Sequence, residues 1–373
     1  MPQRKRNTRP KQVRVAPSKW RRRKKIKFRF IDLFAGIGGM RLALEKIGGG
    51  CVYACEIDRY ARKTYLENFE VPNSFVFSED INQVTRELKR NPNVVPDHDL
   101  LVAGFPCQPF SQAGVATRNA LGRPHGFHCP DQGNLFYRIM EILNKKQPGA
   151  FLLENVRHLP GHDKGRTFKK ILKMLKRKYQ VQWGLVNANH HDLPQNRVRI
   201  FLAGFHKELR TPTELCWAKE KHVNSAQGAS RLRSILEDES EMDINRYRLT
   251  GGVWRALKRH KQAHKKAGNG FGFSMVTEHD VARTLTARYY KDGAEILIDR
   301  GKYRRPRRLT PRECAKLMGF PDCPKFQIPV SDTQAYRQFG NSVAVPVVKY
   351  IAEKMLPDLE RIVASRTTRN RKR

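Results

Sequence analysis

Acidic residues are scarce in this chain: its 373 residues hold 35 Asp and Glu against 73 Lys and Arg, a formal net charge of +38. That imbalance excludes a protein built for cationic surfaces and points to a polyanionic partner. Long apolar runs are lacking as well. No window reaches the roughly 18 uninterrupted apolar residues of a membrane helix, and the basic N-terminal stretch has no apolar segment of the secretory kind. A protein that neither spans a membrane nor is exported is expected. Cysteines are few: seven, at 51, 55, 107, 129, 216, 314 and 323. Odd in number and scattered, they form no disulfide framework and suit a reducing compartment. Only Cys51 and Cys55 are close, and without a second pair they make a poor zinc pattern, so no metal is expected.

The positive charge is uneven. Residues 1–29 hold 14 basic and no acidic residues, and residues 361–373 hold 6 and none, which leaves +18 on the body. The spacing predicts a disordered basic tail over 1–28 and a second basic tail over 357–373. Between them strands and helices alternate. Phe30–Phe34 is a short apolar strand, Ala35-Gly36-Ile37-Gly38-Gly39 a glycine turn, and Met40 to Ile47 a helix. Cys51–Cys55 reads as a strand ending in Glu56, residues 59–68 as a helix, Phe75–Phe77 as a strand before Glu79-Asp80, and Asp99–Gly104 as a buried strand. Helices are expected over Leu135–Leu143 and Phe168–Leu175, strands over Phe151–Leu153 and Arg199–Phe205. This rhythm predicts an α/β fold with a doubly wound, mostly parallel sheet, whose strands carry the ligand at their carboxyl ends. The expected catalytic, cofactor-binding domain covers 29–205, a smaller recognition lobe 206–320, and a returning segment 321–356 completes the first domain. Near the end of the recognition lobe Thr310, Pro311 and Glu313 predict a capped helix.

A strand running into a glycine turn, with an acidic residue ending the next strand, is a layout for an adenosine-bearing cofactor. Glu56 lies 20 residues after Gly36, where its carboxylate can meet ribose hydroxyls, and Asp80 is placed for the adenine amino group. The turn reads G-x-G-G rather than G-x-G-x-x-G, which suits a cofactor without pyrophosphate, such as S-adenosylmethionine. A plain strand-to-helix turn with solvated carboxylates has the same spacing. Cys107, between Pro106 and Pro109, follows a buried strand and is a candidate nucleophile on a stiffened loop. Glu154 ends another strand at the same edge, and alternation across Arg197 and Arg199 brings two guanidiniums beside it.

These residues together resemble the C5-cytosine DNA methyltransferase family, in its Dcm-type subgroup. The matching segments run in family order: FIDLFAGIGG at 30–39, CEID at 55–58, ED at 79–80, GFPCQPFSQAG at 104–114, ENV at 154–156, QNRVR at 195–199, RRLTPREC at 307–314 and QFGNSVAVP at 338–346. One departure is Val198, where the family usually has an acidic residue. The resemblance implies the class I S-adenosylmethionine-dependent methyltransferase fold and attack of the Cys107 thiolate on C6 of a cytosine flipped out of duplex DNA. Glu154 would hold a proton toward N3 and the exocyclic amine, and Arg199, supported by Arg197, would hold the base O2. Phe34, Ala35, Gly36, Gly38, Gly39, Glu56, Ile57, Asp80, Ile81, Pro106, Leu135, Asn341 and Val343 would form the S-adenosyl-L-methionine pocket. Asn155 would brace the Pro106-Cys107 loop.

The same resemblance places Gln108, Ser111 and Gln112 on a loop that meets DNA. His125, His128 and Cys129 on that loop lack a fourth ligand for a metal. Segments 268–276 and 282–301 resemble enzymes that methylate the inner cytosine of CC(A/T)GG, with Arg283, Arg288, Tyr289, Tyr290 and Lys291 as DNA contacts. The expected partner is double-stranded DNA, met as a monomer in the cytoplasm and associated with the nucleoid, with a restriction endonuclease as a companion. An RNA cytosine methyltransferase of the same family, or a DNA-binding regulator without catalysis, shares parts of the pattern.

Overall fold

A computed structural model describes residues 26–72, 75–106, 135–209, 212–217, 231–268, 272–322 and 324–371. Five strands form the parallel part of the sheet: β1 (Phe28–Leu33), β2 (Gly49–Cys55), β3 (Val76–Ser78), β4 (Leu100–Gly104) and β5 (Ala150–Val156). β6 (Tyr179–Asn187) and β7 (Val198–His206) complete it, and the order across the seven strands is β3-β2-β1-β4-β5-β7-β6. β7 runs antiparallel to both neighbours. Its beginning therefore lies at the edge where β1 to β5 end, which brings Arg199 beside Val156. The strand order reverses between β1 and β4, and the crevice at such a point is where α/β sheets collect ligands.

The connecting helices are α1 (Gly39–Lys46), α2 (Arg59–Asn68), α3 (Ile81–Leu88), α4 (Leu135–Lys146) and α5 (Arg166–Leu175). The central strands are apolar along their length because helices cover both faces. One face buries Phe30, Val102, Leu152 and Phe201, the other Ile31, Leu33, Leu101 and Leu153. Asp58 starts α2 by accepting from the backbone N–H groups of Tyr60 and Ala61. The glycine turn admits little but glycine at Gly38: its φ is +82°, and a Cβ there would lie 2.2 Å from the Phe69 ring.

After β7 the regular elements become short. β8 (Met275–Val276) and β9 (Leu297–Ile298) are two residues each, and the long helix α6 (Gly251–Lys266) begins at Thr250, whose hydroxyl accepts from the Val253 N–H. Leu249, Leu257 and Leu297 make a small core of their own, while Val276, Ala282, Leu285 and Tyr289 join the sheet's apolar cluster. α7 (Pro311–Leu317) carries the expected capping box: the Glu313 N–H donates to Thr310 Oγ1 at 3.1 Å, and the Thr310 N–H donates to Glu313 Oε2 at 2.7 Å. α8 (Asp332–Asn341) and α9 (Val345–Arg371) close the chain.

Several expectations need correction. Residues 311–320, placed by sequence in the second lobe, bury Leu317, Met318 and Phe320 in the same apolar cluster as the sheet. The basic tail expected from 357 is helical: α9 continues to Arg371, and Leu359 and Ile362 are buried along it. One apolar side chain per turn sufficed to dock a stretch whose charges read as a tail. β6 was missed altogether. It is an edge strand with Trp183 and Leu185 exposed, so its sequence lacks a clean inward-facing pattern. The N-terminal stretch 1–25 lies outside the described residues.

Candidate active site

The carboxyl edge of the sheet gathers most of the residues singled out by sequence. Phe34 leaves β1 with φ +57°, a left-handed conformation that is costly for an aromatic residue and is found where a surrounding structure enforces it. Ala35 donates its N–H to the Cys55 carbonyl at 3.0 Å, tying the turn to the end of β2. Glu56 then works on two strands at once: Oε2 accepts from the Gly36 N–H and Oε1 from the Asp58 N–H, both at 2.8 Å. Burial raises its carboxyl pKa against the lowering effect of those two N–H groups. Asp80 caps α3 by accepting from the Asn82 N–H at 2.8 Å. Ile81, expected beside adenine, opens α3 with its side chain buried alongside Val84 and Leu88.

The fit to an adenosine-bearing methyl donor rests on the surface these residues leave. Ile57 is 72% exposed although apolar, and a Cβ at Gly36 would meet nothing within 4 Å. An exposed apolar side chain next in sequence to Glu56, the Glu56 carboxyl and the open backbone turn it binds suit an adenosine and its ribose. On the opposite wall Val343 is buried against the turn: a Cβ at Gly39 would lie 2.9 Å from it, and one at Gly104 3.9 Å. Pro106 and Leu135 are half-buried at the ends of β4 and the start of α4, and Asn341 is exposed at the end of α8.

At the end of β5, Glu154 is nearly buried and lies 3.2 Å from the Arg199 Nε through its Oε1. The two reach each other diagonally across the β5–β7 ladder, where Val156 faces Arg199 and Glu154 faces Phe201. Burial raises the Glu154 pKa, and the Arg199 and Arg197 guanidiniums pull it back. The result is a carboxyl group that holds its proton more readily than a solvated glutamate and can donate it. Its Oε2 faces the end of β4, since a Cβ at Gly104 would lie 3.6 Å from it. Asn155 Nδ2 donates to the Phe105 carbonyl at 3.1 Å, bracing the two residues before Cys107. Cys107 itself, with Gln108, Ser111 and Gln112, lies outside the described residues, as do His125, His128 and Cys129. Among the described residues no group of His, Cys, Asp or Glu is placed to hold a metal ion.

Two assigned roles change. Arg197 was expected beside the base, but it is 2% exposed and donates to the carbonyls of Leu285, Gly340 and Ser342 at 2.8, 3.1 and 2.6 Å. It holds the recognition segment and the returning segment to the sheet, a positioning role that no sequence spacing revealed. The contact is tight: a Cβ at Gly340 would lie 2.3 Å from the Thr286 backbone. Buried Gln195 belongs to the same seam and was also missed, accepting from the Leu285 N–H at 2.8 Å and donating to the Leu317 carbonyl at 3.1 Å. Tyr289, expected on DNA, is fully buried; its hydroxyl donates to the Ile296 carbonyl and accepts from the Leu309 N–H, each at 2.7 Å. An apolar ring with one polar tip satisfied both core and surface readings, and packing decided. Arg283, Arg288 and Lys291 are exposed, and Tyr290 is half-buried.

The C-5 cytosine-specific DNA methylase family matches residues 28–357. Among curated relatives, a DNA-cytosine methyltransferase of Escherichia coli strain K12 is 44% identical over 382 residues, covering 91% of this chain and 79% of its own length. The Type II methyltransferase M.DsaV of Dactylococcopsis salina is 45% identical over 335 residues, covering 89% of this chain and 87% of its own. Among solved structures, the Dnmt2 methyltransferase of S. pombe superposes with a TM-score of 0.65 at 20% identity, covering 88% of this chain and 98% of its own. That likeness agrees with the class I methyltransferase fold expected from sequence.

Proposed function

The chain belongs to the C-5 cytosine-specific DNA methylase family and is a DNA cytosine methyltransferase; from that premise we propose that it methylates C5 of a cytosine flipped out of duplex DNA, through a covalent bond from Cys107 to C6. The observation that carries the reading is the buried Glu154 carboxyl, held 3.2 Å from Arg199 at the sheet edge where β4 ends, three residues before Cys107.

Cytosine C5 is a weak nucleophile until C6 is attacked. The Cys107 sulfur forms a bond to C6, the electron pair of the C5–C6 double bond moves to C4–C5, and the C4–N3 pair takes up the Glu154 proton at N3, which leaves C5 as a nucleophilic enamine carbon. Arg199 orients that carboxyl and offers its guanidinium to the base O2. S-adenosylmethionine, when bound by Phe34, Gly36, Glu56, Ile57, Asp80 and Val343, supplies the electrophilic methyl group. C5 takes the methyl as the donor sulfur leaves as a neutral thioether; C5 then loses its proton to a base, the C6–S bond breaks to return the thiolate, and N3 gives its proton back to Glu154. A stacked base offers neither face to these groups, so the cytosine must leave the duplex.

The finer specificity follows the likeness of segments 268–276 and 282–301 to enzymes that modify the inner cytosine of CC(A/T)GG. Arg283, Arg288 and Lys291 are exposed for phosphate or guanine contacts there. The enzyme acts as a monomer beside a restriction endonuclease in this reading. Tritiated-methyl transfer to duplex DNA and to tRNA tests the substrate: label in DNA is expected, and label in tRNA alone overturns it. Bisulfite sequencing of plasmid methylated by the protein reads the sequence context, and protected cytosines outside CC(A/T)GG would replace that target.

A further inference from the structure

We propose that α6, together with the turn 302–305, grips the DNA phosphate backbone outside the recognition sequence, an inference that rests on the duplex-DNA substrate proposed above. Residues 251–266 contain no Asp or Glu. Arg255, Lys258, Arg259, Lys261, Lys265 and Lys266 are all exposed, and among the described residues none of the six is paired with a carboxylate. Leu257 is the helix's one buried residue. Arg255 and Arg259, and Lys261 and Lys265, stand four residues apart, where like charges destabilise a helix. A polyanion laid along it relieves that repulsion.

The helix is fastened to the lobe in a way that leaves its cations outward. Trp254 and Leu257 pack with Met275 and with Ala294 and Leu297, the last two on the chain that follows the Arg288–Lys291 turn. The Lys258 and Lys261 ammonium groups lie 5.4 and 4.3 Å from the centres of the Trp254 and Phe273 rings, which steadies their stems. At its first turn the charge passes to a second segment. The Arg305 and Arg255 guanidiniums converge on Gly251, each within 3.5 Å of where its Cβ would stand, with no carboxylate between them. In the same turn Tyr303 is 90% exposed beside Lys302.

Sixteen residues of helix span roughly 24 Å, about seven phosphate spacings along one strand. Beside one glutamine and two histidines, its polar side chains are cations set along one helix, which suits a row of phosphates. The helix is distinct from Arg283, Arg288 and Lys291, which the proposed function assigns to the target itself.

The test compares the full chain with a variant carrying Arg255→Gln, Lys258→Gln, Arg259→Gln and Lys261→Gln. Affinity is measured across a range of salt on a duplex of about 12 base pairs centred on CCAGG and on one of about 34, and methyl transfer is followed in the same samples. On the long duplex the wild type is expected to show a salt slope steeper by roughly 0.9 per phosphate contact, about 3 to 4 in all, and the variant to lose that increment. A second variant, Lys258→Arg with Lys261→Arg, keeps the charge and is expected to keep the slope, which separates lost charge from lost folding. A neutralised variant with the wild-type slope, while the wild type methylates both duplexes, overturns the role of α6 and leaves the proposed function standing. Absence of methyl transfer to either duplex by the wild type overturns the CC(A/T)GG target of the proposed function, and with it this proposal, which is defined relative to that target.

Discussion

Two glutamate–arginine pairs in this molecule look alike in sequence and differ in what surrounds them. At the seam between α7 and the recognition lobe, Glu313 and Arg307 are almost wholly buried and joined through both carboxylate oxygens at 2.8 and 2.9 Å. Arg307 also binds Glu239 at 2.9 Å, and Glu313 caps α7 and accepts from the Glu237 N–H. Every valence is spent on the fold. At the sheet edge Glu154 meets Arg199 through one oxygen at 3.2 Å, and its other oxygen faces the end of β4. A saturated pair holds a structure together, and an unsaturated one at a strand end is left to act on a ligand.

Substitutions at the two pairs should separate these roles. The largest expected effect is on turnover: Glu154→Gln cannot donate a proton at N3, and the turnover rate should fall by roughly 10²- to 10⁴-fold. At the other pair, Glu313→Ala strands a buried guanidinium and should cost on the order of 3–5 kcal/mol, read as a lower denaturant midpoint. A smaller effect concerns pH. The folded pKa of Glu154 lies above its unfolded value, so the native state binds the extra proton between them, and stability from this group falls as pH rises through that window. Activity that needs the protonated form should decline over the same window. Arg199→Gln removes a cation that lowers this pKa, so the declining limb should move to higher pH while the maximum rate drops; a limb that stays in place would break the coupling.

The smallest effect sharpens the contrast with a third carboxyl. Asp32 is fully buried and pushed up to about 8 by that burial, with Arg41 pulling it down. The cost of ionising it is absent below the unfolded carboxylate range and is complete above about 8. Asp32→Asn should therefore gain stability over the wild type as pH rises toward 8 in parallel melts, and equal gains at all pH values would remove this reading.

The sheet edge was legible in sequence because strand ends, glycine turns and short acidic motifs are local signals. Gly36, Glu56 and Asp80 lie just past the ends of their strands, and Glu154 lies two residues before the end of β5. What sequence could not show is which side chains packing would claim. Arg197 and Arg199 are two residues apart, yet one is consumed by three carbonyls of distant segments and the other stays with Glu154. Tyr289 and Tyr290 are neighbours, and the interior took one of them. α6 escaped notice because a helix with one buried leucine has almost no periodicity to read. Each of these outcomes depends on contacts far apart in the chain.

Trapping on duplex DNA that carries 5-fluorocytosine at the target tests the central claim most directly, because a fluorine at C5 cannot leave as a proton does. With S-adenosylmethionine present, the wild-type protein should form a covalent protein–DNA complex that survives denaturation, Cys107→Ala should form none, and Glu154→Gln should form it far more slowly. A covalent complex of undiminished yield from Cys107→Ala would contradict the account.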